Sequence, residues 1–221
     1  MKRLVGSITV SLVLAAAAAA GAQEKKGFVQ GSGGFATNSE ATSGDVALQG
    51  GVRVAPHLVV FGDIGRLTNV QPSDAQPAVD TAVSALAANN LTITGDAHVP
   101  AWYTAGGVRL EIPTRTLVTP YVFGAVGYAR VNPSARFQYS GGTTLSGATA
   151  TAGEDATTDV INAGYFTVPA SSSGVISRFG GGVQIPIGRM LVGDIGYAFS
   201  RIATDTPVTA NSVTFGVGVR F

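Results

Sequence analysis

The chain has no cysteine, which excludes disulfides and thiolate metal sites outright. Charge is scarce as well: Asp, Glu, Lys and Arg make up 12% of the residues, against a usual share of about 25%. With a formal net charge of only +1, no basic field exists to draw a nucleic acid. Histidine is limited to His57 and His98, and Trp102 is the one tryptophan. Past residue 22 no apolar run reaches the roughly 20 residues of a transmembrane helix, although 45% of the chain is hydrophobic. Much apolar content without a long apolar run implies alternation, which suits strands with one face in lipid.

The amino terminus has its own pattern. Lys2 and Arg3 precede an apolar, alanine-rich stretch from Leu4 to Ala20, which ends in Ala20-Gly21-Ala22. Basic, apolar and then small-x-small is the layout of a secretory signal peptide. It predicts cleavage after Ala22 and a mature domain over residues 23–221, rather than an uncleaved anchor. Losing Lys2 and Arg3 takes the formal +1 to −1. A mature length of about 200 residues suits a single β-barrel or sandwich domain.

Period-two reading predicts eight strands, at 27–37, 45–55, 57–67, 100–112, 117–131, 174–186, 189–201 and 210–221. Most exceed the 9–11 or so residues that a tilted strand needs to cross a bilayer. In the last, Val213, Phe215, Val217, Val219 and Phe221 share one face, and Thr214, Gly216, Gly218 and Arg220 the other. The fourth sets Trp102, Val108, Leu110 and Ile112 against Tyr103, Ala105, Gly107, Arg109 and Glu111. The first and fifth alternate less clearly.

Connections fall into two classes. Those at Pro56-His57, at 113–116 and at Ile187-Gly188 are short, whereas 68–99 and 132–173 are long and rich in Ala, Ser, Thr, Gly and Asp. Short turns alternating with long loops are the pattern of an outer-membrane barrel with its turns in the periplasm. The predicted outer loops hold Glu40, Asp74, Asp80, Asp96, Glu154, Asp155, Asp159 and Asp205 against Arg136, whereas Lys25, Lys26, Arg115 and Arg189 lie at the other end. Such loops either attract cations or simply use charge to stay solvated. Within 68–99, Val79, Ala82, Val83, Leu86 and Ala87 repeat at helical spacing, consistent with a short amphipathic helix at the barrel mouth or with a disordered alanine-rich loop.

These eight segments, the carboxy-terminal run from Ser212 to Phe221 and the stretch Pro120-Tyr121-Val122-Phe123-Gly124-Ala125-Val126-Gly127-Tyr128 resemble the small eight-stranded outer-membrane barrels of the OmpA/OmpX-like superfamily. The resemblance covers the whole predicted mature chain. It implies an all-β, eight-stranded antiparallel transmembrane barrel with long extracellular loops. It also implies that Phe215, Val217, Val219 and Phe221 are read as a signal by the barrel-assembly machinery. Because the sequence shows no peptidoglycan-binding segment after the barrel, cell-wall anchoring is not expected.

Strand parity predicts that Arg53, Asp63, Arg109, Glu111, Arg130, Arg178, Asp194 and Arg220 face inward, since an Arg facing lipid near midplane costs about 2–4 kcal/mol. Two interiors then compete. One is packed and sealed by Arg–carboxylate pairs; the other is a narrow pore whose Arg excess favours anions. Inward glycines at 51, 107, 180, 182, 216 and 218 either leave room or relieve crowding in a curved sheet. Diameter favours the sealed form, because eight strands leave space only for side chains. Trp102, Phe179 and Phe199 are expected at the outer interface, with Tyr121 and Phe221 at the periplasmic one.

Chemistry-bearing patterns are weak. His98 with Asp96 and a nearby serine admits a lipid hydrolase or acyltransferase, but no paired spacing marks it. Glu154, Asp155 and Asp159 lack the EF-hand calcium pattern. Gly31-Ser32-Gly33-Gly34-Phe35-Ala36 matches G-x-G-x-x-A but no helix follows it, which dismisses nucleotide binding. The sequence therefore predicts a non-enzymatic outer-membrane protein with a structural or surface-interaction role and no cofactor. Its expected partners are outer-membrane lipid, the assembly machinery and an extracellular ligand held by the loops. A narrow solute channel is the alternative, followed by a lipid-modifying enzyme.

Overall fold

A computed structural model describes residues 27–38 and 42–221. The predicted signal peptide with Ala20 and Ala22, together with Lys25, Lys26 and Glu40, lies outside the described residues. Eight strands close into one antiparallel barrel: β1 (Gly27–Thr37), β2 (Thr42–Ala55), β3 (Leu58–Leu67), β5 (Ala101–Glu111), β6 (Thr119–Val131), β8 (Ser172–Ile187), β9 (Leu191–Ala203) and β10 (Val208–Arg220). Each pairs with its neighbour in this series. Closure comes from β1 against β10, with Phe28 opposite Arg220 and Phe35 opposite Val213. Phe221 completes the seam, exchanging backbone hydrogen bonds with Gly27 at 2.9 and 3.0 Å. A closed barrel of this kind leaves no strand edge unpaired.

Two further strands leave the barrel. β4 (Ile93–His98) and β7 (Ser134–Tyr139) pair with each other as a separate small sheet. They lie within the two long connections and tie them together. The first connection also carries helix α1 (Ala75–Ala87), whose Val79, Ala82 and Leu86 are buried as the helical spacing predicts. The second carries a short helix α2 (Thr157–Asn162). The two long connections, 68–100 and 132–171, and the four-residue link 204–207 lie at one end of the barrel, where β1 also ends and β2 begins; the turns at 56–57, 112–118 and 188–190 lie at the other.

Alternation decides which side chain goes where. The outer surface is apolar: Phe215, Val217, Val126 and Phe179 are each more than half exposed, and the row continues around the circumference through Val46, Leu48, Ile64, Val108, Val122 and Ile195. Among the described residues, the only charged side chains on this outer face of the barrel strands are Arg66, Arg130 and Arg201, each near the long-loop end of its strand. An exposed apolar band of this extent is far larger than a soluble monomer carries.

Inward glycines mark close approach rather than space. A Cβ on Gly107 would lie 2.2 Å from the Gly124 carbonyl oxygen, and one on Gly180 would lie 2.0 Å from that of Tyr197. These positions admit no side chain because the curved sheet brings backbone against backbone.

Candidate functional site: the barrel interior and the loop platform

Three levels of polar side chains fill the barrel. Nearest the short turns, Arg53 pairs with Glu111, and Arg220 donates to Gln184. Above them Arg109 is buried among aromatic faces, with its guanidinium carbon 4.3 Å from the Tyr121 ring centre and 4.8 Å from that of Phe28. Arg109 donates to Gln49, and the Tyr121 hydroxyl donates to Asp194 at 3.0 Å. Higher still, Arg178 donates to Asp63 and to Ser200 Oγ, lies 3.9 Å from Asp45, and sits 4.4 Å from the Tyr103 ring centre. The flat faces of Tyr and Phe attract the guanidinium while its edge serves the carboxylates.

Above these levels the interior turns apolar. Leu67, Ala101, Val131, Ile176, Ile202, Val208 and Ala210 meet inside the long-loop end, where Val70 and Val99 of the first connection pack onto them. This layer separates the polar network from the mouth. Inside the network lies a cavity of about 40 Å³ bordered by Asp45, Asp63, Arg109, Arg178 and Asp194. At about 10–15 Å³ per water, it admits a few waters rather than a continuous column.

Arg53, Asp63, Arg109, Glu111, Arg178, Asp194 and Arg220 belong to the inward networks just described. Arg130 does not. It is exposed on the same face as Val122, Val126 and Tyr128, and its inward neighbours are Ala129 and Val131. The reason is depth: at a strand end near the interface, an outward Arg costs only about 0–1 kcal/mol. Tyr121 is likewise corrected from the interface to the interior, where it is buried on Arg109.

Sequence reasoning missed Asp45, which is completely buried in the upper network. The signal was available, because the odd-numbered parity of Ala47, Gln49, Gly51 and Arg53 extends back to Asp45. Exchanging Arg130 for Asp45 changes the charge balance. Arg53, Arg109, Arg178 and Arg220 now face Asp45, Asp63, Glu111 and Asp194, four against four. The Arg excess on which an anion-selective pore depended is gone.

The two long connections build a platform with its own core. Val79, Ala82, Leu86, Ile93, Phe137, Tyr139, Val160 and Phe166 cluster together, and the Phe137 and Phe166 ring centres lie 5.3 Å apart. Gln76 of α1 satisfies the edge of β4: its amide donates to the Gly95 carbonyl at 3.1 Å and accepts from the Ala97 N–H at 3.0 Å. Tyr139 donates to Asp159 at 3.0 Å, while Asp155 accepts from the Thr157 N–H at 2.8 Å and Glu154 from the Thr151 N–H at 3.0 Å. Hydrogen bonds from the Thr157 hydroxyl and N–H hold the Asp155 carboxyl below the usual carboxylate range. These three carboxylates thus serve separate local partners rather than one centre.

Between platform and barrel lies a cavity of about 290 Å³. Val99, Val131 and Val208 form its floor, Ala75, Ala78, Val79 and Phe166 line its walls, and Asp74 and Asp205 stand among its polar lining. His98 is exposed on β4 opposite Ser134, but the Ser134 hydroxyl donates to the His98 backbone carbonyl at 2.8 Å. That proton is committed to the backbone, so the pair is not arranged as a nucleophile and its base.

No protein family and no curated protein matches the sequence. Solved structures do match in fold. Neisserial surface protein A (NspA) shares 16% identity over 88% of this chain and 97% of its own, with a TM-score of 0.54. A major outer membrane protein of Thermus thermophilus shares 13% over 88% and 99%, with a TM-score of 0.49. Ail, the attachment invasion locus protein of Yersinia pestis, shares 13% over 89% and 97%, with a TM-score of 0.46. Together with the closed barrel, the likeness to NspA gives this chain the fold of the eight-stranded outer-membrane barrels. At these identities it is a likeness of fold alone.

Proposed function

We propose that the chain is a non-enzymatic protein of the bacterial outer membrane, exported by a signal peptide cleaved after Ala22. Its barrel is a sealed scaffold, and its loop platform is the part that meets a ligand outside the cell. The observation that carries this reading is the apolar outer band, free of charge except for three arginines near the long-loop end, around an interior whose charges balance within the barrel. A belt of that kind is costly in water and suited to lipid.

Support for a sealed barrel comes from the apolar layer at Leu67, Ile176 and Ile202 and from the small volume left beneath it. Support for an active platform comes from its independent core, since a purely solvating loop needs none. Asp74, Asp80, Asp96, Glu154, Asp155, Asp159 and Asp205 stand there against Arg136, which favours a ligand with positive charge and salt-sensitive binding. Phe215, Val217, Val219 and Phe221 form the outward stripe of the closing strand, accessible for the assembly machinery to read before β1 and β10 join.

Electrophoresis of the membrane fraction with and without boiling tests the reading. Protein in the outer-membrane fraction that migrates differently before and after boiling is the expected result. A soluble protein with a single mobility contradicts it.

A further inference from the structure

Arg66, Arg130 and Arg201 stand outside the balanced charges of the interior, on the outer face of the barrel. In register, Arg66 of β3 stands opposite Trp102 of β5, and Trp102 stands opposite Arg130 of β6. The three side chains therefore form one row across three neighbouring strands, all on the outer face and all exposed. Strands lie about 4.8 Å apart, so the two arginines flank the indole at a span of about 10 Å. The Arg66 guanidinium carbon lies 5.3 Å from the Trp102 ring centre. Among the described residues neither Arg66 nor Arg130 has an ion pair, and no carboxylate occupies the outer face of any barrel strand.

Depth fixes the environment. From Val122 at the short-turn end of β6 to Arg130 is eight residues, which at about 3.3 Å each and a tilt near 40° is about 20 Å along the barrel axis. The apolar band of such barrels is about 25 Å tall, so Arg130 lies at its outer border. A guanidinium there meets headgroups rather than tails. Its planar fork bonds phosphate oxygens in pairs, and an indole between two such forks supplies a rigid amphipathic wall with one N–H donor.

We infer that Arg66, Trp102 and Arg130 form a docking site for the phosphate-bearing headgroup of a lipid in the outer leaflet. The two guanidiniums bind phosphate oxygens, and Trp102 packs along the top of the acyl region. The site holds anionic lipid against the β3–β5–β6 side of the barrel and orients the barrel at the outer interface. This inference rests on the reading that the barrel spans a membrane.

Trp102 is the sole tryptophan, so its fluorescence reports the site without labelling. The full-length protein, refolded into phosphatidylcholine vesicles, is compared with equal minor fractions of brominated phosphatidylcholine or brominated phosphatidic acid, since bromine quenches an indole on contact. The acidic lipid is expected to occupy the contact about fivefold more readily, the equivalent of one well-placed basic residue near an anionic surface. The Arg66→Gln/Arg130→Gln variant should show no preference, the Arg66→Lys/Arg130→Lys variant should keep part of it, and added inorganic phosphate should change nothing.

Equal quenching by both lipids in the wild type overturns the inference while leaving the membrane reading intact, and needs no variant to fold. Preference that survives the double Gln variant also overturns it. Loss of preference in inorganic phosphate assigns the site to a free anion instead of a lipid. Absence of quenching by either lipid removes the membrane reading itself, and the inference with it.

Discussion

Arg178 holds the upper interior level together, and removing it should be far more damaging than removing the more distant of its two carboxylate partners, Asp45. It donates to Asp63 and to Ser200, approaches Asp45 to 3.9 Å, and rests on the Tyr103 ring. Arg178→Met deletes the one cation of that level and leaves two buried carboxylates facing each other. Breaking a buried pair from one side costs about 3–5 kcal/mol, because the remaining charge keeps its desolvation penalty without its partner. Asp45→Asn does the opposite, leaving Arg178 and Asp63 as a matched pair and removing a like charge beside Asp63. It should cost less than about 1 kcal/mol. Replacing all three with Arg178→Met, Asp45→Asn and Asp63→Asn should recover most of the loss, since no uncompensated charge remains. Equilibrium unfolding by urea in lipid vesicles, followed by the shift in electrophoretic mobility, gives the three values. If Asp45→Asn proves as damaging as Arg178→Met, the reasoning about charge balance is refuted.

Other outcomes follow from local geometry. Gly107→Val should abolish folding, because its Cβ meets the Gly124 carbonyl oxygen at 2.2 Å, whereas Gly124→Ala has open space and should leave the boiling shift unchanged. Gln76→Ala strands the Ala97 N–H at the edge of β4 and should weaken the platform by about 1–3 kcal/mol, seen as faster hydrogen exchange there with barrel exchange unaltered. The Asp155 carboxyl is held below its usual value in the folded platform, so its contribution is present at neutral pH and persists down to the unfolded carboxylate range. It is lost only as pH falls further, through the lowered folded value. Exchange of the Thr157 amide should accordingly rise in that acid window, and a rise already complete at mildly acidic pH would count against the assignment.

The barrel was legible because burial on one side and lipid on the other impose a strict period of two, as in Phe215, Val217 and Val219 against Gly216, Gly218 and Arg220. Legibility failed where that contrast fails. β6 is apolar on both faces, with Tyr121 and Phe123 inside and Val122 and Val126 outside, so alternation could not orient Tyr121 or Arg130. The premise that every strand charge must turn inward then misplaced Arg130, because that premise holds only near midplane. α1 was readable from Val79, Ala82, Val83 and Leu86, since a helix carries its pattern locally. β4 and β7 were not, because each depends on a partner far along the chain: Ile93 opposite Tyr139 and His98 opposite Ser134. The platform core and its cavity arise from that long-range pairing, so neither was visible before it.

The claim that this barrel is a sealed scaffold meets its most direct test in single-channel conductance across a planar bilayer. Protein already shown to be folded by its boiling shift should give a silent membrane at both polarities, since the apolar layer at Leu67, Ile176 and Ile202 closes the long-loop end over the polar network. Steady, reproducible conductance steps from the wild-type chain would contradict the account.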